Sequence, residues 1–220
     1  MARIVVGADL CAGYWAVIRL VDGRFDAGTV LPSLAEVATT FGADASVIAV
    51  DIPCSYPAPG TKGRVCEREG RAMLGPRWQS MFETYPEVIM LAETYEAANA
   101  LARSTIGKGL PKQSYDLGKA IKEAVALSEK DQRIYETHPE VVFLRLAGAL
   151  ATKKSWTGFR QRLLALEAAG VKLPNDFPEG DKVAVDDVID AAAAALAADQ
   201  IALGTGNRLP IQVSEPAIWY

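Results

Sequence analysis

Short apolar runs rich in β-branched residues fill most of the first fifty positions, and they predict β-strands. Asp22 and Gly23 stand between the second and third runs, where they favour a tight hairpin turn. The fourth run has no polar interruption, which is typical of a central strand with parallel neighbours. We therefore predict strands over residues 3–9, 14–21, 25–31 and 46–51.

The rest of the chain is mainly helical by its apolar periodicity and by the positions of its Gly and Pro residues. A loop rich in proline and glycine spans 53–62, and a fifth strand is predicted at 133–136. We expect a single domain over 1–220, in which about 53–130 form a helical insertion or cap. The predicted helices lie at about 34–41, 64–74, 87–104, 114–128, 139–149, 155–169 and 185–203.

This order of elements predicts a mixed sheet with helices on its faces, which is an α/β fold. The right-handed crossover rule places the fourth strand parallel to the first, most simply as its neighbour. Asp9 and Asp51 each close one of these strands, so we expect them to emerge side by side. Ligands of open α/β sheets bind at the carboxyl ends of the strands, so this edge is the predicted site.

Composition restricts the classes of function without selecting one. The 220 residues are 50% hydrophobic and 23% charged, which excludes an intrinsically disordered chain. No apolar run approaches the ~20 residues that a membrane-spanning helix requires. Lys and Arg total 23 against 27 Asp and Glu, which gives a net charge of −4. This charge excludes binding of nucleic acid through a generally basic surface, but it allows a local basic patch.

The cysteines and the first residues bear on location. Cys11, Cys54 and Cys66 are few and uneven in number, which is typical of reduced thiols in a cytosolic protein. The chain reaches Asp9 without the apolar stretch of a signal peptide. We therefore expect a cytoplasmic protein with no membrane partner.

The last predicted helix contributes two further carboxylates, Asp187 and Asp190, which share one helical face at this spacing. If that face packs against the strand ends, it forms a cluster of three or four acids with Asp9 and Asp51. Two like charges ~4 Å apart repel by about 1 kcal/mol in water and about 4 kcal/mol at an effective dielectric of 20, so such a cluster favours a bound cation. Oxygen ligands select Mg²⁺ or Mn²⁺, and two such ions about 3.5–4 Å apart suit phosphodiester hydrolysis.

Each of these acids also has an ordinary structural explanation. Asp186 and Asp187 stand at a helix start, where a carboxylate caps the helix and interacts with its dipole. Asp9 and Asp51 follow strands and also fit turns. Asp190 lies one turn inside an apolar helix, where capping does not explain it, so it is the strongest single candidate.

The chain resembles the RNase H-like nucleases, particularly their RuvC-type resolvase branch, at three acidic segments. These are Val6-Gly7-Ala8-Asp9, Val50-Asp51-Ile52-Pro53 and Asp187-x-x-Asp190-Ala191. Nearly end to end, the chain is similar to the domain-of-unknown-function 429 family, whose members are described as predicted RNase H-like nucleases. The other segments that carry this resemblance are Arg64-Val65-Cys66-Glu67 with Arg71, Leu74-Gly75 through Ser80-Met81-Phe82, Lys112-Gln113-Ser114-Tyr115, Glu136-Thr137-His138-Pro139-Glu140, and Ser155-Trp156-Thr157-Gly158 with Arg160.

The resemblance implies an RNase H-like mixed five-stranded sheet flanked by helices, with a helical insertion and a divalent-metal carboxylate site. By position, Asp9 takes the place of the first-strand aspartate and Asp51 that of the fourth-strand acid. Asp187 and Asp190 take the places of the acids on the final helix. RuvC-type enzymes usually have Glu where this chain has Asp51, and the shorter side chain bears on whether a second ion is held.

A second polar group contains the one histidine of the sequence. Glu136 ends a predicted strand and is a candidate fifth catalytic acid, while His138 is a candidate base or phosphate ligand. The alternative is that His138 and Glu140 cap the helix that begins at Pro139.

A basic helical face is the candidate surface for a phosphate-bearing substrate. Three arginines recur at i, i+4 and i+7 in the helix predicted over 64–74, and with Lys62 and Arg77 they outnumber the acids of that stretch. The start of the helix predicted over 114–128 adds an end that attracts anions. An ordinary solvated helix face is the alternative. The candidate substrate-binding residues are Arg64, Arg68, Arg71, Lys112, Gln113 and His138.

These features together predict a divalent-metal-dependent nuclease or phosphodiesterase that acts on nucleic acid or a nucleotide, with Mg²⁺ or Mn²⁺ as cofactor. A non-catalytic binding or scaffold protein of the same fold stays open, as does a homodimer. An ATP-dependent phosphotransferase of the actin and sugar-kinase type is less well supported, because it requires Asp-x-Gly-[Ser/Thr] where this chain has Leu10-Cys11-Ala12-Gly13 after Asp9. The candidate catalytic residues are Asp9, Asp51, Glu136, Asp187 and Asp190, of which the four aspartates are the candidate metal ligands.

Overall fold

A mixed β-sheet forms the centre of the protein. The computed structural model describes residues 1–58, 61, 63–148, 150–212 and 216–220, and five strands of this part form one sheet. The strands are β1 (Ile4–Cys11), β2 (Tyr14–Val21), β3 (Arg24–Leu31), β4 (Val47–Asp51) and β5 (Ile134–Glu136). Their order is β3-β2-β1-β4-β5, with the first three antiparallel and with β4 and β5 running parallel to β1.

Helices cover both faces of this sheet, and several of them come between β4 and β5 in the order of the chain. The helices are α1 (Leu34–Glu36), α2 (Val65–Leu74), α3 (Glu87–Met90), α4 (Tyr95–Ile106), α5 (Lys112–Asp116), α6 (Gly118–Ser128), α7 (Pro139–Ala147), α8 (Trp156–Ala168) and α9 (Val185–Ala202). This arrangement confirms the expected fold class, an α/β fold with a mixed five-stranded sheet flanked by helices. The division into one domain with an insertion at about 53–130 stays a prediction.

Most differences from the predicted elements lie at local breaks. The helix predicted over 87–104 is two helices, because the side chain of Thr94 accepts a hydrogen bond from the backbone N–H of Ala97 and starts α4 afresh. The helix predicted over 34–41 continues from α1 as a π-helical turn, Val37–Phe41. The remaining short elements escaped prediction because they are too brief to show a period: the 3-10 turns Gly75–Ser80 and Gly180–Lys182, and the strands β6 (Arg208–Leu209) and β7 (Ile218–Trp219).

Two other points from the sequence can be compared with the structure. Asp22 and Gly23 both have positive φ, 49° and 77°, as the predicted hairpin turn between β2 and β3 requires. Pro59, Gly60 and Lys62 of the predicted loop, and Ala149 at the end of a predicted helix, lie outside the described residues. Within those residues, no helix combines the length and the apolar character that crossing a bilayer would need.

The alternation of side chains along the strands builds two separate cores. Even-numbered residues of β1 and β4, such as Val6 and Ile48, pack with helices on one face. Odd-numbered residues, such as Val5 and Ala49, pack on the other face against the alanines of α9. Since Asp9 and Asp51 are odd-numbered positions at the ends of these strands, the same alternation directs both toward the α9 face.

Helix α9 lies unusually close to the sheet because Gly7 has no side chain. A Cβ atom at Gly7 would lie 1.9 Å from the backbone nitrogen of Ala195 and 2.3 Å from the carbonyl oxygen of Ala191. The run of alanines from Ala191 to Ala198 is fully buried, so the small residues of α9 are what allow this approach. The contact brings the first turns of α9 over the carboxyl end of β1.

We expect the Gly7→Ala substitution to destabilise the fold by about 2–3 kcal/mol, because the added methyl group meets helix backbone that cannot rotate away. Urea unfolding measures this change. Ala195→Gly should not rescue the variant, since the clash is with backbone atoms. Gly13→Ala is the comparison: its φ of 88° disfavours a side chain but the space is open, so its cost should be about 1–2 kcal/mol. A Gly7→Ala protein as stable as the parent would contradict the close packing.

Candidate metal centre

Asp9 and Asp51 lie side by side at the carboxyl ends of two parallel strands. The two residues are direct register partners in the β1–β4 pair. Partners in register point to the same face of a sheet, which here is the face that α9 covers. Asp9 is 7% exposed, so its carboxylate is close to fully buried.

Asp190 completes a group of three acids from the second turn of α9. One oxygen from each of Asp9, Asp51 and Asp190 lies within 4.8 Å of the others. Asp190 is 2% exposed, because its helix lies directly on β1 and β4. The structure therefore meets the geometric expectation from strand order and helix spacing, that these three carboxylates converge.

Burial and mutual repulsion make the charged form of these acids costly. Burial is the largest cause that raises the pKa of Asp9 well above its ordinary value, and repulsion from Asp51 and Asp190 adds to it. Burial likewise raises the pKa of Asp51 to about 7, against the opposing attraction of Lys153. The pKa of Asp190 is also raised by burial to about 7, although Lys153 lowers it. Without a further cation, the three carboxylates hold protons that they would lose in water.

The donor set fits a hard divalent cation. Carboxylate oxygens are the ligands that Mg²⁺ and Mn²⁺ prefer. One oxygen of Asp190, Oδ1, is buried and has no hydrogen-bond partner among the described residues. A buried acceptor without a donor is costly and rare, so this orphan oxygen is a second observation that points to a bound cation.

Lys153 supplies a positive charge to the site, and the sequence analysis did not identify this residue. Its Nζ donates to Asp190 Oδ2 at 2.5 Å and lies 3.6 Å from Asp186 Oδ2. Burial alone would lower the pKa of Lys153, but the attraction of Asp190 outweighs it and raises the pKa, so the side chain stays charged. Lys153 lies three residues before α8, in a segment without a sequence motif that would mark it as a site residue. The nearest segment of the family resemblance begins two positions later, at Ser155.

Asp186 and Asp187, at the start of α9, make different contacts. Asp187 caps the helix, since its Oδ2 accepts a hydrogen bond of 3.1 Å from the backbone N–H of Ala184, and its role as a metal ligand stays a prediction. Asp186, which was expected to be the cap, pairs with Lys153. Both line the cavity, but among the described residues the meeting oxygens belong to Asp9, Asp51 and Asp190 alone.

These acids line a cavity of about 400 Å³, called the acidic cavity below. Its walls combine the ends of β1, β4 and β5 with the start of α9 and the segment before α8. Further lining residues include Phe82, Gln113, Leu117, His138 and Lys154. A volume of this size suits a small ligand or one segment of a larger one.

Glu136, the candidate fifth acid, is held in a buried ion pair with Arg64. Both guanidinium NH groups of Arg64 donate to the two Glu136 oxygens at 2.6 Å, and Arg64 also donates to Glu67 at 2.7 and 2.9 Å. The backbone N–H of Cys54 donates to Glu136 as well. Glu136 pairs in register with Val50, so it points to the opposite face from Asp51. Arg64 and Glu136 therefore satisfy each other.

The rest of the predicted basic face lies away from the acids. Arg68 is exposed, and Arg71 donates to the carbonyl oxygen of Met81 at 2.9 and 3.0 Å. Both line a second cavity of about 530 Å³, and neither is among the described residues that line the acidic cavity. Lys112 is exposed at the start of α5, where it pairs with Asp116, whereas its neighbour Gln113 does reach the acidic cavity.

His138 and Glu140 line the acidic cavity with different functions. Nε2 of His138 lies 3.3 Å from the carbonyl oxygen of Ser80, and burial lowers the pKa of the ring, which is therefore neutral at pH 7. Nδ1 has no partner among the residues described. Glu140 accepts hydrogen bonds of 2.6 Å from Arg77 and from Arg162, so it is a fully paired structural acid.

One comparison with known proteins identifies the family of the chain. A family model described as "Protein of unknown function (DUF429)" matches residues 7–215. Two structures of RuvC from Thermus thermophilus, one of them in complex with a Holliday junction substrate, are similar to the chain at 16% identity. Each comparison covers 92% of this chain and 97% of the other, with TM-scores of 0.41 for the complex and 0.42 for the other structure. No curated protein matches the chain significantly.

We expect Asp9→Asn to stabilise the metal-free protein at pH 8, because it removes a buried carboxylate whose charged form is disfavoured in the folded state. The folded-state pKa of Asp9 is raised, so the stability of the parent falls as the pH rises from about 4, where the unfolded chain begins to lose this proton, toward the folded-state pKa. The gain should therefore vanish near pH 3, where both states are protonated. Unfolding in urea with a chelator, at pH 3 and pH 8, measures this difference.

Asp44→Asn is the matched control for that prediction. Asp44 lies before β4, at the opposite end of the strand, and its hydrogen bond with Arg19 lowers its pKa. Its substitution should leave stability at pH 8 unchanged or reduced, and should have no effect near pH 3. A stabilisation by Asp44→Asn equal to that of Asp9→Asn would show that the effect is not specific to the acidic cluster.

Arg64→Met should destabilise the fold by about 3–5 kcal/mol, because it leaves Glu67 and Glu136 buried without their shared cation. Arg68→Met on the same helix should change stability by no more than about 0.5 kcal/mol, because Arg68 is exposed. Urea unfolding at pH 7 compares the two variants. Equal, small effects would mean that Arg64 does not serve as a structural cation.

Proposed function

The chain belongs to the family described as Protein of unknown function (DUF429), and we propose that it is a divalent-metal-dependent nuclease or phosphodiesterase that acts on nucleic acid or a nucleotide. The observation that carries this proposal is the convergence of Asp9, Asp51 and Asp190 at one edge of the sheet, with their oxygens within 4.8 Å. Oδ1 of Asp190 supports it, because this buried oxygen has no hydrogen-bond partner in the described part of the chain.

Asp9, Asp51 and Asp190 would hold the metal ion, as Mg²⁺ or Mn²⁺. Such an ion supplies Lewis-acid chemistry: it lowers the pKa of bound water and neutralises charge that develops on phosphate oxygens. Among the described residues, Asp9 and Asp51 form no ion pair, and Asp190 pairs with Lys153 through one of its two oxygens. Asp187 has a smaller part in this proposal, because its carboxylate caps α9.

Other residues of the acidic cavity would bind and orient a phosphodiester. Lys153 and Lys154 supply positive charge and N–H donors beside the acids, and Gln113 supplies an amide on the opposite wall. The neutral ring of His138 offers an unpartnered Nδ1, which is suited to accept a proton or a hydrogen bond. Phe82 and Leu117 add apolar surface to the lining of this cavity.

The other candidate residues take supporting places in the proposed enzyme. Glu136 accepts from the backbone N–H of Cys54 and so fixes the segment that follows Asp51, with Arg64 as its counter-ion. Arg68 and Arg71 open into the second cavity, so they would contact only a substrate that extends beyond the acidic cavity. An extended nucleic-acid strand meets this condition and a small nucleotide does not.

We expect Asp9→Asn and Asp190→Asn each to reduce turnover by more than the 10–100-fold that a change in an outer-shell partner typically costs, since both would be direct metal ligands. The assay uses single-stranded DNA, RNA, branched duplexes and small cyclic or dinucleotide substrates with Mn²⁺. Asp44→Asn, the same chemical change at the far end of β4, should cleave like the parent. If the parent cleaves none of these substrates above the Asp9→Asn background, the enzyme proposal fails.

Metal binding is measured separately from cleavage. Mn²⁺ or Mg²⁺ should raise the melting temperature of the parent and of Asp44→Asn, because an ion that binds only the folded state stabilises it. The rise should be clearly smaller for Asp9→Asn and Asp190→Asn. Binding of a substrate without cleavage would favour the non-catalytic binding protein.

A further inference from the structure

We propose that Lys153 takes the place of a second divalent ion, so that one metal ion and one ammonium group together complete the acidic cluster. This inference rests on the proposed function and deepens it, since it assigns the number of ions and a residue that acts on the phosphodiester. The observations that carry it are the position of Lys153 on Asp190, the charge of the cluster and the frame that holds the lysine.

The two oxygens of Asp190 face different partners. Oδ2 accepts the hydrogen bond from Lys153 at 2.5 Å, while Oδ1 is buried without a partner in the described residues. A carboxylate that joins two metal ions uses one oxygen for each. Here the ammonium group already occupies Oδ2, so Oδ1 is the oxygen of Asp190 that would remain for an ion held together with Asp9 and Asp51.

One divalent ion together with Lys153 balances the charge of the three converging acids. The three converging carboxylates carry three negative charges, which Lys153 and one divalent cation together neutralise. A second divalent ion would need the charges of Asp186 and Asp187 as well, and these are already used: Asp186 lies beside Lys153 and Asp187 caps α9. Uncompensated charge in a buried site is costly, so the balanced arrangement is favoured.

Lys153 is held in place by buried contacts. Arg162 is 1% exposed and donates to the carbonyl oxygens of Ala151 and Gly158 at 2.8 and 3.0 Å, on both sides of the lysine. Arg162 also donates to Glu140 of α7 at 2.6 Å. A Cβ atom at Gly158 would lie 2.0 Å from the carbonyl oxygen of Thr152, so the segment is pressed against the start of α8.

The lysine would contact the phosphate group of the substrate. An ammonium group has three N–H donors, and the contacts with Asp190 and Asp186 leave at least one of them for a phosphate oxygen. Such a charge-assisted hydrogen bond strengthens as negative charge develops on the oxygen during cleavage. Lys153 would thus stabilise charge where two-ion enzymes use their second ion.

The test counts the Mn²⁺ ions that the chain binds, by isothermal titration calorimetry and by equilibrium dialysis. We expect one ion for the parent and one for Lys153→Arg, which keeps the positive charge. Lys153→Met should bind a second ion, because it frees Oδ2 of Asp190 beside Asp186. Lys154→Met is the matched control: its side chain lines the same cavity but forms no ion pair with the described residues, so it should still bind one ion.

The possible results separate this inference from the proposed function. Two ions on the parent, or only one on a folded Lys153→Met protein, would overturn the assignment of Lys153. If Lys153→Met does not fold, Lys153→Ala gives the same count, since it also removes the ammonium group and frees Oδ2 of Asp190. A parent that binds no ion at all would contradict the proposed function itself.

Discussion

The contact between the backbone of α9 and β1 at Gly7 determines where the acids of the site lie. Without a side chain at Gly7 and with alanines on the facing helix, the two elements approach as closely as backbones can. Asp190 follows this helix toward the strand ends, and the pleat of β1 and β4 turns Asp9 and Asp51 toward it. The position of the cluster therefore depends on the absence of side-chain volume several residues away.

The same contact between α9 and β1 makes the charged form of the three acids unfavourable. Packing the helix this closely buries Asp9 and Asp190, and burial is what raises the pKa values of all three acids most. Native proteins place such strain where function requires it and compensate elsewhere. Here the buried alanines of α9 pack tightly against the sheet, and this packing offsets the cost of burying the acids.

Much of this arrangement follows from the sequence, and the rest does not, for a physical reason. The strands, their order and the meeting of Asp9, Asp51 and Asp190 depend on period, turn residues and handedness, all of which are local or general rules. The partners of Glu136 and Asp190 depend on which side chains meet across long sequence separations, 72 residues for Arg64 and 37 for Lys153. No spacing rule connects residues so far apart. The basic face over 64–71 therefore looked uniform in sequence, although Arg64 is buried and Arg68 is exposed.

The charged residues around the acidic cavity fall into two kinds, and this division locates the chemistry. Three glutamates, Glu67, Glu136 and Glu140, are matched by three arginines, Arg64, Arg77 and Arg162, in short hydrogen-bonded pairs. These groups are satisfied and rigidify the walls. Among the described residues, the three converging aspartates pair with a single lysine. Their negative charge is therefore only partly compensated, unlike that of the glutamates around them. Such a group binds a cation with little rearrangement of the protein, because the ion pairs of the cavity wall already hold the surrounding side chains in place.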